Sequence, residues 1–192
     1  MAPDQLSFFA APEPALPEGF RYRAEVIARD DERALLERIP TLPLKEFEFH
    51  GFTGLRRTVS YGWRYDFAGE RLSKTDDIPE FLLAVRDKAA AFAGVAASEL
   101  QHVLVTEYAE GAGIGWHRDK GVFGDVVGIS LLSDCTFRLR RRVGEKWERV
   151  NLVAEPRSAY LLRGPSRTEW EHSIPGVESL RYSITFRNLR ER

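Results

Sequence analysis

Two histidines and one aspartate carry the clearest chemical signal in this chain. Trp116-His117-Arg118-Asp119 sets an imidazole and a carboxylate two residues apart. On an extended strand, residues i and i+2 face the same way, so one strand could offer both groups to a single cation. His172 follows on a distant segment and would be the third ligand. A His-x-Asp pair alone is a weak pattern that also suits a solvated surface turn. Two imidazoles and one carboxylate on one side of a metal, with the other positions open, are the facial donor set of mononuclear non-haem Fe(II) oxygenases.

A second group of residues points to an anion. Arg181-Tyr182-Ser183-Ile184-Thr185-Phe186-Arg187 alternates, so that Arg181, Ser183, Thr185 and Arg187 share one face and the apolar residues the other. Two arginines and two hydroxyls on one strand face suit a barrel interior that holds a dianion. The guanidinium binds carboxylates through a planar fork and stays charged when buried. Six residues of strand separate the two Arg Cα atoms by roughly 20 Å. Both therefore cannot grip one carboxylate head-on; Arg181 is expected to take it, and Arg187 to lean back toward the metal or brace a ligand. The competing reading is an edge strand with two exposed arginines.

The elements that must position these groups can be read from periodicity. Asp30–Ile39 has a helical pattern, with Asp30 or Asp31 as N-cap and Pro40 as terminator. Residues 45–68 read as β structure rich in Thr, Val, Tyr and Trp. Residues 79–93 form the strongest helix, with Pro79 near its start and Gly94 past its end. Beyond Ser98 come eight β candidates, near 101–108, 114–119, 125–132, 135–142, 146–153, 158–163, 167–173 and 181–187. Their regular spacing predicts a double-sheet jelly roll. The expected fold is mainly β with flanking helices (α+β): a double-stranded β-helix, or cupin-like, core with N-terminal helices and a β substrate lid. The expected layout is one domain, with an N-terminal arm over 1–20 that carries Pro3, Pro12, Pro14 and Pro17, helices and lid over 21–97, and the core over 98–192. Phe8 and Phe9 could pin the arm.

Composition narrows the class. The chain has 192 residues, 43% hydrophobic and 30% charged, enough to bury a core without disulfides. Cys135 is the only cysteine, which excludes an internal disulfide and a Cys-rich zinc site and predicts a reducing compartment. No apolar run is long enough for a bilayer, and Met-Ala-Pro-Asp-Gln does not read as a secretory leader, so a cytoplasmic monomer is expected. The net charge of −1 is unlike that of a dedicated nucleic-acid binder and predicts local, transient contacts with any such partner.

Tyr108-Ala109-Glu110-Gly111, His117-Arg118-Asp119, Gly164-Pro165-Ser166-Arg167 leading to His172, and the closing Arg-Tyr-x-x-Thr-Phe-Arg over 181–187 together resemble the AlkB family of Fe(II)/2-oxoglutarate dioxygenases. The likeness spans 101–190, more loosely 45–93, and the closing motif is its most specific part. The resemblance implies Fe(II) at His117, Asp119 and His172, with O2 as co-substrate. It implies 2-oxoglutarate at Arg181 and Arg187, assisted by Tyr108, Ser183 and Thr106. It also implies a substrate lid from the segment carrying Arg56, Arg57, Tyr61, Trp63, Tyr65 and Phe67. Aromatics interleaved with arginines suit stacking on an exposed base beside phosphates, although such rings also pack lids onto cores. The implied reaction is oxidative demethylation of N-alkylated bases in single-stranded or duplex DNA or RNA, releasing formaldehyde, succinate and CO2. A base in a duplex would be flipped out first.

Candidate substrate contacts are Arg57, Tyr61, Trp63 and Tyr65 in the lid, and Arg138 and Arg140. The latter two share a strand face with Arg142, opposite Phe137 and Leu139, and could track phosphates. A solvated outer face paired with Glu145 and Glu148 is the alternative. The sequence departs from the family pattern at Gly121, where repair members carry an acidic residue, and at Thr106 and Ser183, where asparagines are common. These departures bear on the substrate. A 2-oxoglutarate-dependent hydroxylase or demethylase of a protein or small molecule is therefore a competing reading, and a non-enzymatic jelly-roll binding module a third. Cys135 is expected to be a small buried hydrophobe, and His50 and His102 to be structural. Trp116 and Trp170 flank ligand strands, either walling the site or packing the core.

Overall fold

The computed structural model describes residues 16–49, 52–66, 69 and 71–190. The expectations for the arm through Ala15, and for Phe67 and His50, lie outside those residues. In chain order the elements are β1 (Phe20–Arg23), α1 (Arg29–Arg38), β2 (Lys45–Phe49), β3 (Phe52–Tyr61), β4 (Trp63–Asp66), β5 (Arg71–Lys74) and α2 (Leu83–Ala93). Then follow β6 (His102–Tyr108), β7 (Ile114–His117), β8 (Phe123–Leu131), β9 (Cys135–Val143), β10 (Lys146–Ala154), β11 (Ala159–Leu162), α3 (Pro165–Thr168), β12 (Glu171–Ile174) and β13 (Arg181–Leu189).

Two antiparallel sheets face each other. The larger has the order β1-β11-β8-β13-β6-β3-β2, the smaller β10-β9-β12-β7. Strands β6–β13 divide four and four between them, which is the expected double-stranded β-helix. Alternation sorts the side chains of the larger sheet. Val103, Val105, Val127, Ile129, Leu161, Tyr182, Ile184 and Phe186 pack under the helices with Leu35, Val85, Ala89 and Phe92. Phe20, Tyr108, Val126 and Leu162 face the smaller sheet and meet Cys135, Phe137, Leu139, Val150 and Ile174. The second layer encloses the polar face of β13.

Helix ends follow local chemistry with one correction. α1 is capped by the backbone of Ala28, without a side-chain cap; Asp30 and Asp31 lie inside the first turn, where their charge complements the helix dipole. α2 ends as expected on Gly94, which takes φ +70° and donates its N–H to Ala90 O. Two strand readings also change. β7 stops at His117, so Asp119 sits on the following loop and not on the strand. Residues 165–168 form α3, opened by Pro165 at its N-terminus, and only 171–174 form a strand. The lid segment is mostly sheet: β3 pairs with β6 and extends the larger sheet, whereas β4 and β5 form a separate hairpin. At the opposite edge Phe20–Arg23 pairs with β11, a strand that the alternation of Phe20 and Tyr22 with arginines could have indicated.

Candidate metal and co-substrate site

His117 and His172 are register partners on β7 and β12, on the inner face of the smaller sheet. The loop after β7 then turns Asp119 back toward them. One ligand atom from each residue falls in a cluster spanning no more than 4.8 Å. The imidazole centroids are 4.2 Å apart, and His172 Nε2 lies 3.7 Å from Asp119 Oδ2.

Each side chain is oriented from behind. His117 Nδ1 is 2.9 Å from Gly115 O; a carbonyl only accepts, so Nδ1 carries the proton and Nε2 offers its lone pair. Asp119 Oδ1 accepts from Arg187 Nε at 2.8 Å and Nη2 at 2.6 Å. Oδ2 is buried and has no hydrogen-bond partner. Burial alone would raise the Asp119 carboxyl, but Arg187, His172 and His117 hold it well below the usual carboxylate range. Burial pushes His172 down to about 3, with His117 adding to the effect, and burial also lowers His117. An ionised carboxylate and two neutral imidazoles are the protonation states a divalent cation requires. With the orphaned Oδ2 aimed at the imidazoles, the donor set fits Fe(II).

The loop that carries Asp119 is clamped. Arg167, 5% exposed on α3, donates to Lys120 O at 2.7 Å, Phe123 O at 2.9 Å and Gly124 O at 2.9 Å. The guanidinium thus ties the loop carbonyl of Lys120 to the first two carbonyls of β8, beside the turn's own bond from Phe123 N–H to Lys120 O. The Gly-Pro-Ser-Arg run was visible in the sequence; this role was not.

Toward the other end of the interior, Arg181 is 2% exposed. Its Nη2 donates to Ser130 Oγ at 2.8 Å, and its guanidinium lies over the Tyr108 ring at 4.9 Å. Arg181 Nε and Nη1 are buried without partners. Leaving two charged donors unsatisfied in a core is costly, and a carboxylate would satisfy them. Thr106 faces Ser183 across β6 and β13, and Ser183 faces Ser130 on β8, so hydroxyls line the floor beside Arg181. Tyr160, missed in the sequence, enters from β11. Its ring lies over Gly128, where a Cβ would meet the ring at 2.2–2.3 Å and the phenol oxygen at 2.5 Å, and it packs at a tilt against Phe137, centroids 4.5 Å apart. Burial keeps its phenol protonated.

The candidate substrate residues divide. Tyr65 lies beside the metal loop, with Lys120 Nζ 5.2 Å from its ring centre. Trp63 is half-buried on the same hairpin. The other four are corrected. Tyr61 is 7% exposed and packs in the helix-side core. Arg57 pairs with Glu107 at 2.7 and 2.8 Å, on the face of the larger sheet opposite the site. Its neighbour Arg56 is the inward one, in register with Tyr108 and bonded to it. Arg138 and Arg140 stand on the outer face of the smaller sheet. Arg138 bonds Ser173 at 3.0 Å, and Arg140 pairs with Glu171 at 2.6 Å. Arg140 lies between Trp116 at 4.4 Å and Trp147 at 4.3 Å, which places Trp116 outside the site. Trp170 is core, under Arg141. Cys135 is buried as expected, and burial raises its thiol pKa.

A four-plus-four jelly roll holding a His-x-Asp…His cluster and a buried, half-satisfied arginine defines the architecture of a non-haem iron oxygenase. The model of the 2OG-Fe(II) oxygenase superfamily matches residues 45–187, and the chain belongs to that superfamily, whose members use Fe(II), 2-oxoglutarate and O2. The chain is 26% identical over 144 residues to an Arabidopsis thaliana protein named "Alkylated DNA repair protein ALKBH8 homolog". That match covers 62% of this chain and 42% of the relative, so the chain spans less than half the length of that protein. The solved structure of OsALKBH1 superposes with a TM-score of 0.64 at 19% identity, covering 92% of this chain and 100% of the other. The Arabidopsis relative bears an AlkB-homologue name, in keeping with the motifs, and the solved structure shows the shared fold. Among the described residues, no helix is long and apolar enough to cross a membrane.

Proposed function

We propose that this chain oxidatively demethylates N-alkylated nucleobases in DNA or RNA, as a monomer. His117, Asp119 and His172 hold Fe(II), and Arg181 takes the distal carboxylate of 2-oxoglutarate. The observation that carries the oxygenase half is the pair of unmet demands inside one barrel: Asp119 Oδ2 without a donor, and Arg181 Nε and Nη1 without an acceptor. Bound Fe(II) with 2-oxoglutarate would supply the O2-dependent oxidation of a methyl group. The chain's own residues do the rest. Arg187 holds the carboxylate, Gly115 O sets the His117 tautomer, and Ser130, Ser183 and Thr106 line the acid pocket. Tyr65, Trp63 and Arg56 would receive a base and its phosphate, a role that the position of Tyr65 beside Lys120 and the inward register of Arg56 support. Hydroxylation of the methyl carbon leaves a hemiaminal, which releases formaldehyde and the bare nitrogen.

A second reading, a 2-oxoglutarate oxygenase of a protein or small molecule, is favoured by the net charge of −1 and by the outward placement of Arg57, Arg138 and Arg140. Two measurements decide. Anaerobic titration with Fe(II) and 2-oxoglutarate should produce a metal-to-ligand charge-transfer band; its absence leaves only a binding module. Formaldehyde release is then followed on methylated single-stranded DNA, duplex DNA and RNA. Succinate formation with no formaldehyde from any of them would transfer the assignment to the second reading.

A further inference from the structure

Arg187 is held from two sides. Its Nε and Nη2 serve Asp119, and its Nη1 points at His102 Nδ1, 3.3 Å away. His102 begins β6 directly across from Arg187 on β13, is 3% exposed, and packs its ring 4.6 Å from Phe123. The Arg187 guanidinium lies over the same Phe123 ring at 5.3 Å. An arginine has no acceptor, so this contact requires a bare lone pair on His102 Nδ1 and the proton on Nε2. Burial, reinforced by the charge of Arg187, holds the ring neutral, as that role demands.

We propose that His102 is a positioning residue for the metal centre, its Nδ1 fixing the guanidinium that aims the Asp119 carboxylate. Without an acceptor at Nη1, Arg187 is anchored by its stack on Phe123 and by Asp119 itself, and the two can swing together. With one, the guanidinium is pinned at a third point, and Asp119 keeps Oδ2 turned to the imidazoles. Supports at this remove set how well a ligand is presented. His102 lies outside the motifs that carry the family resemblance, and this inference rests on the iron reading of His117, Asp119 and His172.

The test uses the whole protein and two variants. His102→Phe keeps a ring and removes the acceptor; His102→Asn puts an oxygen near the place of Nδ1. Fe(II) affinity is measured anaerobically with saturating 2-oxoglutarate, and folding by thermal melting of the metal-free forms. We expect His102→Phe to bind Fe(II) about 10- to 100-fold more weakly and His102→Asn to recover most of the loss. Unchanged affinity in a folded His102→Phe overturns the proposal, as does an equal loss in both folded variants. Should His102→Phe not fold, nitrogen-15 spectra of the metal-free wild type decide: a bare Nδ1 supports the proposal and a protonated one overturns it. A wild type that takes up no Fe(II) sinks the iron reading and this inference together, whereas an iron-binding wild type with indifferent variants sinks the inference alone.

Discussion

Arg181 spends one nitrogen on Ser130 and keeps two buried donors in reserve, an arrangement that only a planar, permanently charged side chain can supply. Lysine at this position would offer its donors from a single nitrogen and lack the planar fork that grips both oxygens of a carboxylate. Arg181→Lys should therefore raise the KM for 2-oxoglutarate at least about tenfold, the worth of one charge-assisted hydrogen bond, without loss of Fe(II) binding. Succinate production against co-substrate concentration checks this; a KM within about twofold of wild type removes Arg181 from the pocket. Gly128 faces the opposite constraint, since a methyl there would run into the Tyr160 ring. Gly128→Ala should cost about 1–3 kcal/mol by overpacking, and Tyr160→Leu in the same chain should return part of it. Urea denaturation measures both, and an additive double variant would mean that the ring moves freely.

Among elements, α3 is short yet supports the site, because Arg167 ties the Lys120 carbonyl of the loop after β7 to the Phe123 and Gly124 carbonyls at the start of β8. Arg167→Met should free that loop while the sheets stay folded. Faster tryptic cleavage after Lys120, with weaker Fe(II) binding, is the expected signature; unchanged cleavage would show that the loop holds itself. For β3, the register with β6 decides which arginine can matter. Arg56 opposes Tyr108 on the inner face and Arg57 opposes Glu107 on the outer. Arg57→Ala should then lower stability by about 1–3 kcal/mol, because Glu107 is buried and would lose its bidentate partner, and leave oligonucleotide KM unchanged. Tyr65→Ala on the β4–β5 hairpin should raise that KM. A rise with Arg57→Ala and none with Tyr65→Ala would reverse the assignment of the lid face.

At the scale of the whole molecule, a net charge of −1 limits how many phosphates the surface can neutralise. Oligonucleotide affinity should fall only shallowly with salt, with a log–log slope of about −2 or smaller in magnitude, as for one or two phosphate contacts. A steep slope would point to a basic track beyond the lid. The amino-acid sequence by itself determined the eight-strand core, because period-two alternation marks a strand wherever one face must be apolar. It also determined the ligand types and the inward face of β13, since arginines and hydroxyls alternate there with Tyr182, Ile184 and Phe186. Tertiary structure alone decided the rest. A one-residue shift of register turns every side chain of a strand to the other face, so Arg56 and Arg57 could not be ranked before β3 was paired with β6. Asp119 sits on a turn that no local pattern shapes, held by Arg167 from across the chain. His102 has no partner at ligand spacing in sequence, and acquires its contact only where β6 and β13 lie side by side.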